Sequence, residues 1–395
     1  MRTYERTHPW IKFQIDLRPA SPKLWMLLGE ASSKCEHIAG IPLRPDIAKS
    51  LHQLYLAKGA HATTAIEGNT LSEQEALQRI RGELKLPASR EYLGRELDNI
   101  VGSFNRIGDL LRDGDDAFTS GRVRQFNLWI LEGLDLERGV VAGDLRRHGV
   151  TVGRAYLGAP AEDCEFLLNR LCDWLSGPDF RAPQGMELVY AVIKAVVAHI
   201  YIAWIHPFGD GNGRTARLME FQILLAAGVP TPAAHLMSNH YNQTRSEYYR
   251  QLESASMSGG DIIPFLEYAA HGLVDGLREQ LATIRSQQWD VAWENFVYEE
   301  FREKTGKPAR RQRSLVLNLS RLDKPVQPGI VRDLSPDLAR EYAGKTSKTI
   351  QRDLGALMKM DLVERTPEGF KAKKERILAF LPWRKARVIT EPFSA

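Results

Sequence analysis

Two long apolar-periodic stretches meet at a glycine-rich break between residues 188 and 227. The first, Leu188 to Ile205, is interrupted by Lys194 and His199. A charge near its middle makes it a buried helix rather than a membrane span, and no membrane partner is expected. Helical spacing continues through most of residues 20–300. Apolar residues recur at three and four positions, as in Leu51, Leu54, Tyr55 and Ala57 or in Ile193, Val196, Val197 and Ile200. One island, Gly149 to Gly153, reads as strand, and Ala155 to Pro160 completes a hairpin. The expected class is therefore mainly α with one hairpin.

The break is His206-Pro207-Phe208-Gly209-Asp210-Gly211-Asn212-Gly213-Arg214-Thr215-Ala216-Arg217. It is a loop running into a helix N-terminus, where free backbone N–H groups and the positive dipole end suit an anion. Gly211 and Gly213 allow backbone angles closed to other residues and let a phosphate approach the main chain. Arg214 and Arg217, three apart, project from the first helical turn, and two guanidinium groups beside such a nest point to polyphosphate. Asp210 offers an oxygen where Mg²⁺ bridges phosphates. His206 stands ahead of the loop as a general base.

This string resembles the Fic-domain motif, His-x-Phe-x-(Asp/Glu)-Gly-Asn-Gly-(Arg/Lys)-x-x-Arg, at every fixed position, and the similarity extends over roughly residues 60–275. Fic proteins most often transfer AMP from ATP to a hydroxyl side chain of a target protein. The resemblance implies that His206 deprotonates the attacking Ser, Thr or Tyr hydroxyl. Phe208 would anchor the loop, and Asp210 would hold Mg²⁺ on the α- and β-phosphates. The backbone of Gly211, Asn212 and Gly213, with the Asn212 side chain, would cradle phosphate. Arg214 would contact phosphate oxygens and Arg217 the γ-phosphate. It also makes Val150, Thr151, Val152 and Gly153 the start of a flap that docks the target by strand pairing, and Tyr248 and Tyr249 part of the nucleotide pocket. Many relatives have Asn about two helical turns later, where this chain has Ser256.

A second segment, Thr63-Thr64-Ala65-Ile66-Glu67-Gly68, resembles the family's inhibitory motif. Thr63 and Glu67 lie one helical turn apart and face the same way. Glu67 is expected to pair with Arg217 and displace the γ-phosphate. The implied activity is that of an autoinhibited protein adenylyltransferase that also modifies itself. Two other readings stay open: a nucleotide-sensing transcriptional regulator, and a Fic enzyme that removes AMP.

Charge separates the tail from the body. The chain has 395 residues and a net charge of +4. Residues 301–395 hold 22 Lys+Arg against 11 Asp+Glu, while the rest hold 31 against 38. A basic tail on a mildly acidic body suggests contact with nucleic acid. Ser335-Pro336 opens a short helix, Thr346 caps a second, and two strands around Thr366 to Gly369 form a wing carrying Lys371, Lys373, Lys374 and Arg376. This is a winged helix-turn-helix pattern. Ser347, Lys348, Thr349, Gln351 and Arg352 would face DNA, although such modules also dock proteins. The expected organisation is an N-terminal helical region (1–60), a Fic domain (61–280), a connecting helix and linker (281–310) and a winged-helix domain (311–385). The linker itself is expected at Glu303 to Arg313.

Overall composition is ordinary for a globular chain, 43% hydrophobic and 26% charged, with mean hydropathy −0.32. Cys35, Cys164 and Cys172 include no Cys-x-x-Cys pair, which excludes a disulfide scaffold and a cysteine zinc site. No apolar segment follows the first residues, so no signal peptide and a cytoplasmic location are expected. A homodimer is left open.

Overall fold

The computed structural model describes residues 1–152, 156–322 and 324–378. They form two compact units, Met1–Gln280 and a second that begins at Leu281. The first unit contains α1 (Thr3–Thr7), α2 (Pro22–Ala39), α3 (Pro45–Ile66), α4 (Glu73–Ile80), α5 (Glu91–Arg112) and α6 (Ser120–Leu131). The strands β1 (Thr151–Val152) and β2 (Tyr156–Leu157) follow, then α7 (Cys164–Leu175), α8 (Glu187–Ile205) and α9 (Asn212–Ala226). After these come α10 (Thr231–Ala234), α11 (Leu236–Gln243), α12 (Arg245–Met257) and the first part of α13 (Ile263–Glu300). The class is mainly helical, as expected.

Local chemistry sets several helix starts. Ser21 Oγ accepts from the Leu24 N–H and Pro22 occupies the first position of α2. Ser72 and Glu75 form a reciprocal capping box on α4. At the centre lies α8, apolar on nearly every face. Among the described residues it is the one helix long and apolar enough to cross a membrane, yet 83% of that stretch is buried inside the protein. Its Val192, Val196, Ile200 and Ile205 pack with Leu218, Met219 and Leu224 of α9 in one core. Each such side chain contributes about 1.5–3 kcal/mol by leaving water. Ile200→Ala would therefore cost roughly 2–5 kcal/mol. The three cysteines are buried and free. Burial pushes the Cys164 thiol up to about 11 and the other two to about 12, which makes them packing residues rather than nucleophiles.

The second unit takes the rest of α13, then α14 (Lys307–Leu319), a 3-10 stretch (Pro328–Leu334), α15 (Pro336–Glu341) and α16 (Ser347–Lys359). The antiparallel strands β3 (Val363–Thr366) and β4 (Gly369–Ala372) close it. Trp293, Val297, Leu315, Leu319, Tyr342 and Leu354 share its core. Ser335 Oγ caps α15 by accepting from the Leu338 N–H. Thr346 stands at the start of α16, but its hydroxyl makes no capping bond.

Residues 303–313 are not the expected linker. Gly306, at φ 94, and Pro308 start α14, so the polar run is helix from Lys307. Helical phase then turns Arg311 inward, where its guanidinium grips both oxygens of Asp353 at 2.6 and 3.1 Å. The second unit also begins thirty residues earlier than the expected 311, because Trp293 and Val297 fill its core. Residues 379–385 of the expected domain lie outside the described residues.

Candidate functional site

The site forms where α8 ends. His206 caps that helix in the left-handed region, φ 50 and ψ 58, while its N–H still reaches the Ile202 carbonyl at 2.8 Å. The chain turns sharply, and Phe208, wholly buried, fixes the loop in the core. Asn212 then staples the loop closed. Its Oδ1 accepts from the Phe208 N–H and its Nδ2 donates to the Phe208 carbonyl, both at 2.9 Å. The Asn212 amide thus shapes the loop, using one of its two Nδ2 hydrogens.

Gly211, at φ 76, is the N-cap of α9. A Cβ there would meet Asn127 Nδ2 and Ile130 Cδ1 at 3.0 Å, so the position needs glycine for both angle and room. Its carbonyl accepts the first helical bond, from the Thr215 N–H. The first amides of α9 therefore lack intrahelical acceptors and point out of the helix end.

Arginine burial distinguishes this helix end from an ordinary one. The Arg217 side chain is 1% exposed. Its Nη2 donates to Glu67 Oε1 at 2.6 Å and to the Thr63 carbonyl at 2.9 Å. Among the described residues, its Nη1 and Nε are buried with no partner. Arg214 is also buried, with Nη2 3.1 Å from Asp210 Oδ1 and Nε without a partner. Unmet buried guanidinium donors are costly, and an anion laid on the helix end would satisfy them.

Glu67 follows the last residue of α3, in a turn that Gly68 makes at φ 103. Asn69 pins this turn, donating to the Leu93 carbonyl at 3.0 Å and to Glu96 Oε2 at 2.8 Å. The Glu67 side chain keeps 35% exposure, but its carboxylate lies over α9: a Cβ on Gly213 would collide with Oε1. Burial pushes the Glu67 carboxyl up, Arg217 more than reverses this, and the net direction is down. The group is thus an anion seated in an anion site. Arg217 reads the Thr63 carbonyl, while among the described residues the Thr63 hydroxyl is buried without a partner.

Burial pushes the His206 imidazole down to about 4, with Arg146 adding to the effect and the Ala203 backbone, Glu67 and Asp210 opposing it. It is therefore neutral near pH 7. Asp210 Oδ1 accepts from the Gly211 N–H and Arg214, and its side chain remains 50% exposed. A carboxylate that faces solvent beside a helix N-terminus suits Mg²⁺, which takes one or two carboxylates and fills the rest of its sphere with water and other oxygens.

The two tyrosines part company. Tyr248 is buried, 2.8 Å from His199 Nε2 and stacked on Tyr241, so it belongs to the core. Tyr249 is 44% exposed and donates to the Ile66 carbonyl beside the Glu67 turn. Ser256 donates to the Glu253 carbonyl within its own helix. In the hairpin, Thr151 pairs with Leu157 and Val152 with Tyr156, and the Gly158 N–H reaches the Val150 carbonyl. Gly153 lies outside the described residues. On α16, Ser347, Lys348, Gln351 and Arg352 are exposed and Thr349 is half-buried.

Sequence reasoning missed two residues. Asn127 on α6 donates to the Asp210 carbonyl at 2.9 Å and accepts from the Gly143 N–H at 2.9 Å, clamping the loop from behind. A polar residue between Phe126 and Ile130 on an inward face was its one signal. Arg146 is buried against the His206 carbonyl, and the pair Arg146-Arg147 carries no local signal of it.

Residues 117–224 match the Fic/DOC family model. The chain is 28% identical over 236 residues to protein adenylyltransferase fic-1 of Caenorhabditis briggsae, covering 58% of this chain and 42% of that one. It is 27% identical over 246 residues to protein adenylyltransferase Fic of Nematostella vectensis, covering 62% and 53%. The chain thus spans about half the length of the curated relatives it matches. Among solved structures, a Fic family protein from Desulfovibrio desulfuricans G20 superposes with TM-score 0.55 at 22% identity, over 91% of this chain and 98% of that one. Fic-1 from C. elegans gives 0.54 at 22% identity, over 67% and 73%. With this match and this loop, residues 117–224 are similar to the Fic/DOC family.

Proposed function

We propose that the protein transfers AMP from ATP to a Ser, Thr or Tyr hydroxyl of a protein, itself included, and that Glu67 holds this activity down. The observation that carries the reading is the buried Arg217, whose Nη1 and Nε have no partner at a helix end lined by free amides. A polyphosphate fits that demand. Neutral His206 takes the proton of the attacking hydroxyl. The oxygen bonds to the α-phosphorus, the bond to the β-phosphate oxygen breaks, and pyrophosphate leaves. Catalysis is positioning plus charge stabilisation by the α9 amides, Arg214 and Arg217. Asp210 would hold Mg²⁺, which supplies charge neutralisation on the phosphates when bound. Glu67 competes for Arg217 where the γ-phosphate belongs. The test is incubation with α-labelled ATP. His206→Ala should lower incorporation by roughly 10²–10⁴-fold while ATP binding persists; unchanged incorporation would refute the mechanism.

The second unit is read as a winged helix that contacts DNA through Ser347, Lys348, Gln351 and Arg352, which share the open side of α16, with Thr349 at its edge. Its wing contributes less than charge alone suggests. Lys371 pairs with Glu375, Lys373 with Asp361 and Lys374 with Asp290, while Arg376 donates to the Met360 carbonyl. Titration of the full chain with duplex DNA at low and moderate salt tests this. Binding that weakens steeply with salt supports it; no binding at low salt favours a protein-docking role.

A further inference from the structure

Arg146 is buried, at 5% exposure, and among the described residues it forms no ion pair. A buried cation without a counter-ion is expensive, by several kcal/mol even after relaxation. Its donors instead go entirely to main-chain carbonyls. Nε donates to His206 at 2.6 Å, Nη1 to His148 at 2.7 Å, and Nη2 to Ala159 and, at 3.3 Å, to Ile205. Two of these carbonyls end α8, where the helix dipole is negative and the last acceptors are orphaned. The other two bracket the hairpin. One guanidinium thus joins the residue that carries the base to both feet of the flap.

The joint has further parts. The Arg146 N–H donates to the Pro207 carbonyl at 3.0 Å, and Leu145 bridges to Phe208. Gly158, at the second foot, is wedged in: a Cβ there would lie 3.0 Å from both Arg146 Nη2 and His206 Cβ. Tyr156 donates to the Trp204 carbonyl at 2.8 Å. The hairpin therefore meets α8 at one point, and Arg146 fills it.

We propose that Arg146 is a positioning residue for AMP transfer: by gripping the carbonyls of Ile205, His206, His148 and Ala159 together, it sets the base and the target-docking hairpin in a single register. This rests on the reading of the site as an adenylyltransferase. A hydroxyl presented by the flap then arrives where the His206 imidazole can take its proton. None of the four acceptors belongs to the phosphate cradle, so the effect should fall on turnover and target use rather than on ATP.

The experiment compares Arg146→Met, Arg146→Lys and Gly158→Ala, each with Glu67→Gly in the full chain, which serves as the active parent. Labelled-ATP kinetics are read beside hydrogen exchange over residues 145–160. Arg146→Met should lower kcat on the order of 10²-fold, the cost of about 1 Å of misplacement, with KM for ATP unchanged and hairpin protection lost. Arg146→Lys should not restore it, because an ammonium cannot span four carbonyls. Gly158→Ala keeps the charge and the fold's core, and should show the same split more mildly. Loss of ATP binding in step with kcat, or parental kcat and protection in Arg146→Met, would overturn the proposal. If the parent itself transfers no AMP, the functional reading fails separately. The exchange arm still decides the joint: protection lost in Arg146→Met supports it and protection kept refutes it.

Discussion

Two helices carry basic residues in their first two turns, and they use them in opposite ways. On α9, Arg214 and Arg217 are buried, oriented and short of partners. On α16, Lys348 and Arg352 stand in water. The first arrangement has met the cost of desolvation before any ligand arrives, so it holds donors in fixed directions and can select one anion shape. The second offers charge without direction, which suits long-range attraction to a polyanion. Counting charges ranks the tail above the body; burial and unmet donors reverse that order.

The sharpest way to break the comparison is to ask whether a buried arginine always marks a ligand site. Arg311 is as buried as Arg214 but its Nε and Nη2 both donate to Asp353, with Gln312 and Tyr342 on the same carboxylate. It should therefore be structural. Arg311→Met should destabilise the second unit by about 3–5 kcal/mol, the usual cost of stranding one member of a buried pair, seen in denaturant unfolding, while AMP transfer persists. A loss of transfer without a loss of stability would contradict this. A smaller effect is expected at Asn127, which shapes the loop from behind. Asn127→Ala should lower kcat on the order of 10²-fold through misplacement of Asp210 and the α9 amides. Rates equal to the parent enzyme would show that the loop holds itself.

The pH profile gives a smaller and cleaner signal. Burial depresses the His206 pKa to about 4, so the folded imidazole stays in its neutral, proton-accepting form from neutral pH down to that value. The rate should remain level as pH falls through 6.5, where an ordinary histidine is half protonated, and drop only near 4. An acid limb at 6.5 in the kcat profile would assign the base elsewhere. His235, depressed to about 3 by burial, sets a limit on how low the profile can be read. Its neutral-form contribution to stability is complete above the unfolded pKa near 6.5 and is lost as pH falls toward 3. Unfolding should therefore be followed in parallel. The smallest effect belongs to α16. Lys348→Ala with Arg352→Ala should reduce the salt slope of DNA binding by about two, and an unchanged slope would place the contact on another face.

The comparison also shows what a sequence can display. The loop from His206 to Arg217 and the Glu67 turn were legible because each is a local string whose geometry follows from glycines, a helix end and one helical turn. Arg146 and Asn127 were not. The bonds that tie them to the loop reach about sixty and eighty residues along the chain, and each looks locally like an ordinary polar residue on a helix or loop. The polar run from 303 to 313 misled for a related reason: composition suggested a solvated linker, whereas helical phase and a distant Asp353 made it core. The wing lysines looked free because their carboxylate partners are contributed by α13, by the turn before β3 and by the segment after β4.

The central claim is that Glu67 occupies the place of a phosphate. It predicts that removing one carboxylate creates activity without adding a catalytic group. The direct measurement is incorporation of labelled AMP by the native chain, by Glu67→Gly and by Glu67→Gly with His206→Ala. Glu67→Gly should raise self-modification on the order of 10²-fold, since a misplaced α-phosphate costs about that much, and the added His206→Ala should abolish the gain. Equal incorporation by the native chain and Glu67→Gly would mean that the Thr63–Glu67 segment is only the end of α3, and that the contact with Arg217 restrains nothing.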